Sequence, residues 1–186
     1  AAGPDGSAKF FFASNRRDKA TMDLYEADAA TRTIREVARS DGQVLEWQVG
    51  RDRQLAARVR QLQPHDGADQ AVEVLEPDGR WRQLRTVSGW DFFWLLQADR
   101  ANGKLWAISN VGRDRSAVVE VDTSTGAERV LAEHPVVDLT WAFFPRSRAE
   151  VAATIAEDGL PTIRWHDAAL GADVDRAATR ALQLGM

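Results

Sequence analysis

The sequence predicts an all-β chain folded as a partial, open β-propeller of about four blades, each an antiparallel four-stranded sheet, with a short C-terminal helix. Three observations predict it. Trp47, Trp94 and Trp141 recur 47 residues apart, and Leu45, Phe92 and Leu139 stand two places before them, on the same face of an extended strand. Glu26, Glu73 and Glu120 recur at the same spacing, each inside a β-rich run, with Thr162 to Trp165 as a degenerate fourth copy. Between the runs lie turn signals, Pro77-Asp78-Gly79, Ala101-Asn102-Gly103 and Asp122 to Gly126, where Asp or Asn bonds its own backbone and Gly takes a positive φ.

Taken in order, the first unit (4–38) shows three strands at about 8–14, 23–28 and 33–38, preceded by the turn Pro4-Asp5-Gly6. The second (39–86) shows four, at about 43–48, 54–60, 70–75 and 81–86. The third (87–132) repeats the pattern at about 91–96, 104–109, 117–122 and 127–132. The fourth (133–184) has strands at about 137–143, 150–156 and 161–166, after which Val174, Ala177, Ala178, Ala181 and Leu182 follow helical spacing from Ala172 to Leu184. Four incomplete blades make a poor closed ring, and an open arc exposes strand edges that proteins normally cover. The chain is therefore expected to be one domain cut from a longer propeller, with self-association through its open edges. A plain antiparallel sandwich is the rival reading of short strands joined by turns.

Composition narrows the chemistry. The 186 residues carry 28 acidic and 24 basic side chains, a net charge of −4, and no Cys, which removes thiolate metal sites, Cys nucleophiles and redox pairs. The only lysines are Lys9, Lys19 and Lys104, and the arginines are scattered and outnumbered, so no positive field points to nucleic acid. No apolar run approaches the length of a membrane-spanning helix. The compartment stays open between cytoplasm and periplasm.

Few residues suggest chemistry of their own. His65, His134 and His166 lie in loops or at a strand end, and no nucleophile is spaced to join them in a triad, so no catalytic residue is assigned. Asp23, Glu26 and Asp28, or Glu157 and Asp158 before Gly159, fall short of a complete calcium-loop pattern, and no metal or cofactor is expected. The registered tryptophans are read as packing between blades, and Trp81 and Trp90, outside the register, as candidates to face a partner. Ser14-Asn15 and Ser109-Asn110 each end a second strand, which places Arg16, Arg17 and Arg113 as candidate contacts at one rim, to a peptide carboxylate or a neighbouring domain. The alternative is that these loops bond their own backbone.

The stretch from Gly103 to Asp122, Gly-Lys-Leu-Trp-Ala-Ile-Ser-Asn-Val-Gly-Arg-Asp-Arg-Ser-Ala-Val-Val-Glu-Val-Asp, continuing through Thr125 to Pro135, resembles the N-terminal propeller of bacterial prolyl oligopeptidase family serine peptidases. The acylaminoacyl-peptidase and dipeptidyl-peptidase-like branches are the nearest in pattern. Phe11 to Asp18 leading into Asp23 to Asp28 repeats the motif more briefly, and TolB-like propellers share the Pro-Asp-Gly and Ser-Asn elements. The resemblance implies a non-catalytic propeller that gates peptide substrates and docks on a C-terminal α/β-hydrolase domain. The chain has no Gly-x-Ser-x-Gly elbow, so no catalytic Ser, Asp or His is carried over. A stand-alone TolB-like scaffold for protein partners is the alternative, and a propeller sugar or lactone hydrolase with a metal in its channel is a third.

Overall fold

The computed structural model describes residues 8–63, 69–145 and 150–183, and the side chains of all but the last three of these. The strands are β1 (Lys9–Ser14), β2 (Asp23–Asp28) and β3 (Thr33–Ala38) in unit 1 and β4 (Val44–Val49), β5 (Leu55–Gln61), β6 (Gln70–Leu75) and β7 (Trp81–Val87) in unit 2. Unit 3 holds β8 (Phe93–Asp99), β9 (Lys104–Ser109), β10 (Ala117–Asp122) and β11 (Glu128–Ala132); unit 4 holds β12 (Leu139–Phe143), β13 (Ala153–Asp158) and β14 (Leu160–Trp165), followed by helix α1 (Ala168–Gln183). Each unit is one antiparallel sheet whose strands pair in chain order, with three, four, four and three strands.

Local chemistry explains the hairpins. In the β10–β11 turn the Asp122 carboxylate accepts the amides of Ser124 (2.9 Å) and Thr125 (3.1 Å), while Gly126 sits at φ 73° and donates to the Asp122 carbonyl at 2.8 Å. Bonds from the Ser124 hydroxyl and from these amides hold the Asp122 carboxyl well below the usual range.

The sheets stack on one another. Val59, Val72, Val74 and Val87 of unit 2 form one core with Phe93, Leu95, Leu105, Ala107, Val119 and Val121 of unit 3. A second core joins Ile108 and Val118 of unit 3 to Leu139, Ala142 and Ala156 of unit 4. Unit 3 is thus buried on both faces, which a two-layer sandwich does not produce. Unit 1 is joined to unit 2 by polar ties: the Trp47 indole donates to the Met22 carbonyl at 2.8 Å, and Arg53 reaches Glu26 at 3.2 Å.

Three expectations are corrected. Helix α1 begins at Ala168, four residues before the apolar spacing suggests, because Asp167 caps it by accepting the Leu170 amide at 3.0 Å. β8 starts at Phe93 and β13 at Ala153, two or three residues later than expected; the turn closed by the Asp91 amide on the Ser88 carbonyl takes up the first difference. The third correction concerns the 47-residue register, which does not mark equivalent positions. Trp47 pairs with Arg58, whose neighbours Ala57 and Val59 are buried towards unit 3, so Trp47 faces unit 1. Trp94 pairs with Ile108, which is buried towards unit 4. Glu73 and Glu120 likewise point away from different neighbours, since Val72 and Val74 pack on unit 3 whereas Val119 and Val121 pack on unit 2. Side chains alternate with a period of two, so an offset of a single residue reverses the face.

Candidate binding rim

In units 2 to 4 the connections between first and second strands, and between third and fourth, lie at one rim, and β1, β2 and β3 of unit 1 correspond to strands two, three and four of units 2 and 3. The connections between second and third strands, and the junctions between units, lie at the other. Arg16, Arg17 and Trp90 belong to this second rim, in the β1–β2 connection and the β7–β8 junction, and Arg113 to the β9–β10 connection; Trp81 starts β7 at the opposite rim.

The structure gives these residues different surroundings. Arg17 grips the buried Asp23 through two bonds, from Nε at 2.6 Å and Nη2 at 2.9 Å, and the same Nη2 donates to the Ser40 carbonyl at 3.2 Å. The Arg17 guanidinium and the Ser40 amide outweigh burial and hold the Asp23 carboxyl at about 2. Arg113 pairs with Glu128, which Arg85 of unit 2 also reaches at 2.6 Å. Arg16 stands over the Tyr25 ring, 5.5 Å from its centroid. Trp81 lies under Arg58 and beside Trp47, whereas the Trp90 side chain is fully exposed. The loops also bond their own backbone: the Ser109 hydroxyl oxygen accepts the Val111 amide and Asn110 Oδ1 accepts the Phe92 amide at 2.7 Å.

His134 Nδ1 accepts the amides of Val136 and Val137, and His166 meets the Thr154 hydroxyl at 3.1 Å, its basicity lowered by burial. His65 lies outside the described residues. Asp23 is spent on Arg17, Glu26 on Arg35 and Arg53, and Asp28 on the amides of Ala30 and Thr31. Among the described residues no three His, Asp or Glu side chains gather as a metal site would require.

The residue that sequence reasoning misses is Glu46 on β4. It sits in a concavity of about 360 Å³ between units 2 and 3, walled by Leu45, Val59, Phe92, Phe93 and Trp94. The Leu95 amide donates to its Oε2 at 3.3 Å. Burial raises its carboxyl to about 7, against the small opposing pull of that amide. The signal in the sequence is a carboxylate, 47 residues before Phe93, on a strand whose neighbours Leu45 and Trp47 are apolar. Leu45, Phe92 and Trp94 keep large exposed surfaces beside it.

No protein-family model and no curated protein matches the chain. Among solved structures it is similar to TolB from Acinetobacter baumannii, with a TM-score of 0.52 and 17% identity over 89% of this chain and 39% of that one. The fold is an open β-propeller. Further neighbours are puromycin hydrolase (TM-score 0.48, 15% identity, 77% of this chain and 24% of that one) and the acylaminoacyl peptidase of Pyrococcus horikoshii (0.45, 11%, 89% and 36%). The propeller therefore spans well under half the length of each chain it resembles.

Proposed function

We propose that this propeller is the non-catalytic part of a prolyl oligopeptidase-like serine peptidase, controlling which peptides reach an α/β-hydrolase domain on which it docks. The observation that carries the reading is the contrast between inner and outer faces. Unit 3 is covered on both sides, whereas Phe10 and Ile34 of unit 1 and Leu160 and Ile163 of unit 4 stay exposed. Apolar end faces of this kind suit further blades or a docked domain, and in isolation they favour self-association. The blade motif from Gly103 to Pro135 supports the choice of family. The test is the intact mass of the native gene product together with its labelling by a fluorophosphonate, which reacts with activated serines. A product much heavier than 20.6 kDa that takes the label is expected. An unlabelled product of that mass would overturn the reading.

The likeness to TolB favours a second reading, a stand-alone scaffold that binds protein partners through its rim or channel. An unlabelled product of this size that retains a stoichiometric protein partner on purification would establish it.

A further inference from the structure

Units 1 and 2 part around a concavity of about 620 Å³ at the rim that carries the β4–β5 and β8–β9 turns. Its unit 1 wall is one face of a sheet. Lys9 and Phe11 alternate onto the same side of β1, and the ladder sets Phe11 opposite Glu26 and Glu26 opposite Arg35, a row across all three strands. That face looks towards unit 2, because Arg53 of the β4–β5 turn stands over the Phe11 ring at 5.3 Å and pairs with Glu26 at 3.2 Å. Arg53 keeps this place with φ at 62°, a conformation that residues other than glycine rarely adopt.

Six charged residues line the space, and their charges do not balance. Glu26 is shared between Arg35 and Arg53, and Asp52 Oδ1 accepts the Gln54 amide at 3.0 Å. Lys9 lies near enough to Glu26 to help lower its carboxyl, yet its ammonium makes no hydrogen bond or ion pair with any described residue. Arg100 comes from the β8–β9 turn of unit 3, which the Arg51 amide ties to the β4–β5 turn by donating to the Ala98 carbonyl at 3.2 Å. It lines this concavity and also the one between units 2 and 3. Although half-buried, its guanidinium makes no hydrogen bond or ion pair among the described residues. Four cations against two carboxylates leave the space positive, in a chain whose net charge is −4.

We infer that this concavity is a binding site for a phosphate group, with Arg100 and Lys9 as its donors. A phosphate carries the two negative charges that the lining lacks, and its oxygens accept from a guanidinium and an ammonium that have no acceptor in the described chain. Arg35 and Arg53, held by Glu26, add to the field without giving up their ion pairs. The volume exceeds what one phosphate needs, so the remaining space suits the group that carries it as an ester. The inference concerns this chain's own residues and stands whether or not a hydrolase domain accompanies it.

The test is calorimetric titration of the full chain at about pH 8, where methyl phosphate carries two charges, compared with methyl sulfate, which has nearly the same shape and one charge. Methyl phosphate is expected to bind at least about tenfold more tightly and to shift the Arg100 Nε–H signal in NMR. Arg100→Gln should cost at least about tenfold in affinity and Lys9→Gln about fivefold. Neither side chain bonds within the described chain, so both variants should keep the fold, which their spectra report. Lys19→Gln makes the same change of charge in the β1–β2 connection, at the opposite rim, and should bind as the parent does. Tighter binding of inorganic phosphate than of acetyl-phosphoserine methylamide identifies a free phosphate as the ligand, and the reverse order a phosphorylated chain; either order supports the site. Equal binding of methyl phosphate and methyl sulfate, an Arg100→Gln variant that binds as the parent does, equal losses in Lys19→Gln and Arg100→Gln, or no binding at about 10 mM would each overturn the inference.

Discussion

Trp94 and Trp141 meet edge to face across the boundary between units 3 and 4, their ring centroids 5.2 Å apart and their planes at 85°. The contact joins two first strands, yet Trp94 is half-exposed, so it is an inter-blade contact rather than core. Full burial of a Trp would make its truncation cost about 3–5 kcal/mol. Half of that burial plus an aromatic pair of about 1 kcal/mol predicts a loss of about 3 kcal/mol for Trp94→Ala. Urea denaturation of the variant measures it, and a double cycle with Trp141→Ala isolates the pair.

Strand positions were legible because alternation and turn residues are local properties. Asp122 and Gly126 announce their turn in any context, and the strands around them fall within a residue or two of where the pattern puts them. The facing of the strands was not legible. The ladder slips between Val44 and Glu46 and again between Leu139 and Trp141, and each slip reassigns which side chains meet the neighbouring sheet. Glu46 was missed for the same reason, because its burial depends on unit 3 covering β4. The rim arginines were legible as rim residues, but the carboxylates that engage Arg17 and Arg113 are apparent only in the folded chain.

Arg17 and Asp23 tie the β1–β2 connection to the following junction through the Ser40 carbonyl. Removing the carboxylate leaves the guanidinium without its main partner. A buried pair broken on one side loses about 3–5 kcal/mol, but Arg17 is a third exposed and can rehydrate, so Asp23→Ala should cost about 2 kcal/mol. The folded carboxyl is held below its ordinary value of 3.8, at about 2. Its contribution is therefore complete above the ordinary value and is lost as pH falls through about 2. Denaturation curves of the parent and of Asp23→Asn should converge between about pH 4 and pH 2.

Glu46 has the opposite sign. Its folded carboxyl is raised from 4.5 to about 7, so between these values the folded chain holds more protons than the unfolded one. Stability then falls as pH rises across that window and levels off above it. Glu46→Gln carries no charge to bury. It should match the parent at about pH 4 and exceed it at about pH 8, by up to about 3 kcal/mol. Thermal melts of the two proteins at both pH values provide the check, and a variant no more stable than the parent at the higher pH would contradict the burial of this carboxylate.

Gly171 sets two effects of known size against each other in α1. Replacing a helical Gly by Ala ordinarily gains about 1 kcal/mol of helix propensity. Here the helix crosses the Trp165 ring so closely that an added Cβ would stand 2.8 Å from Trp165 Cγ and 3.1 Å from its Cβ, which is inside any real contact. The obstacle is the root of the indole rather than a flexible tip, so the helix must lift or the ring must leave its place on β14. Overpacking of this kind costs about 1–3 kcal/mol, more than the propensity gained. The steric term wins. Gly171→Ala is expected to lower the melting temperature and to expose Trp165 to a fluorescence quencher, whereas Ala172→Gly, on the solvent side of the same turn, should lose only the propensity of about 1 kcal/mol and leave Trp165 protected.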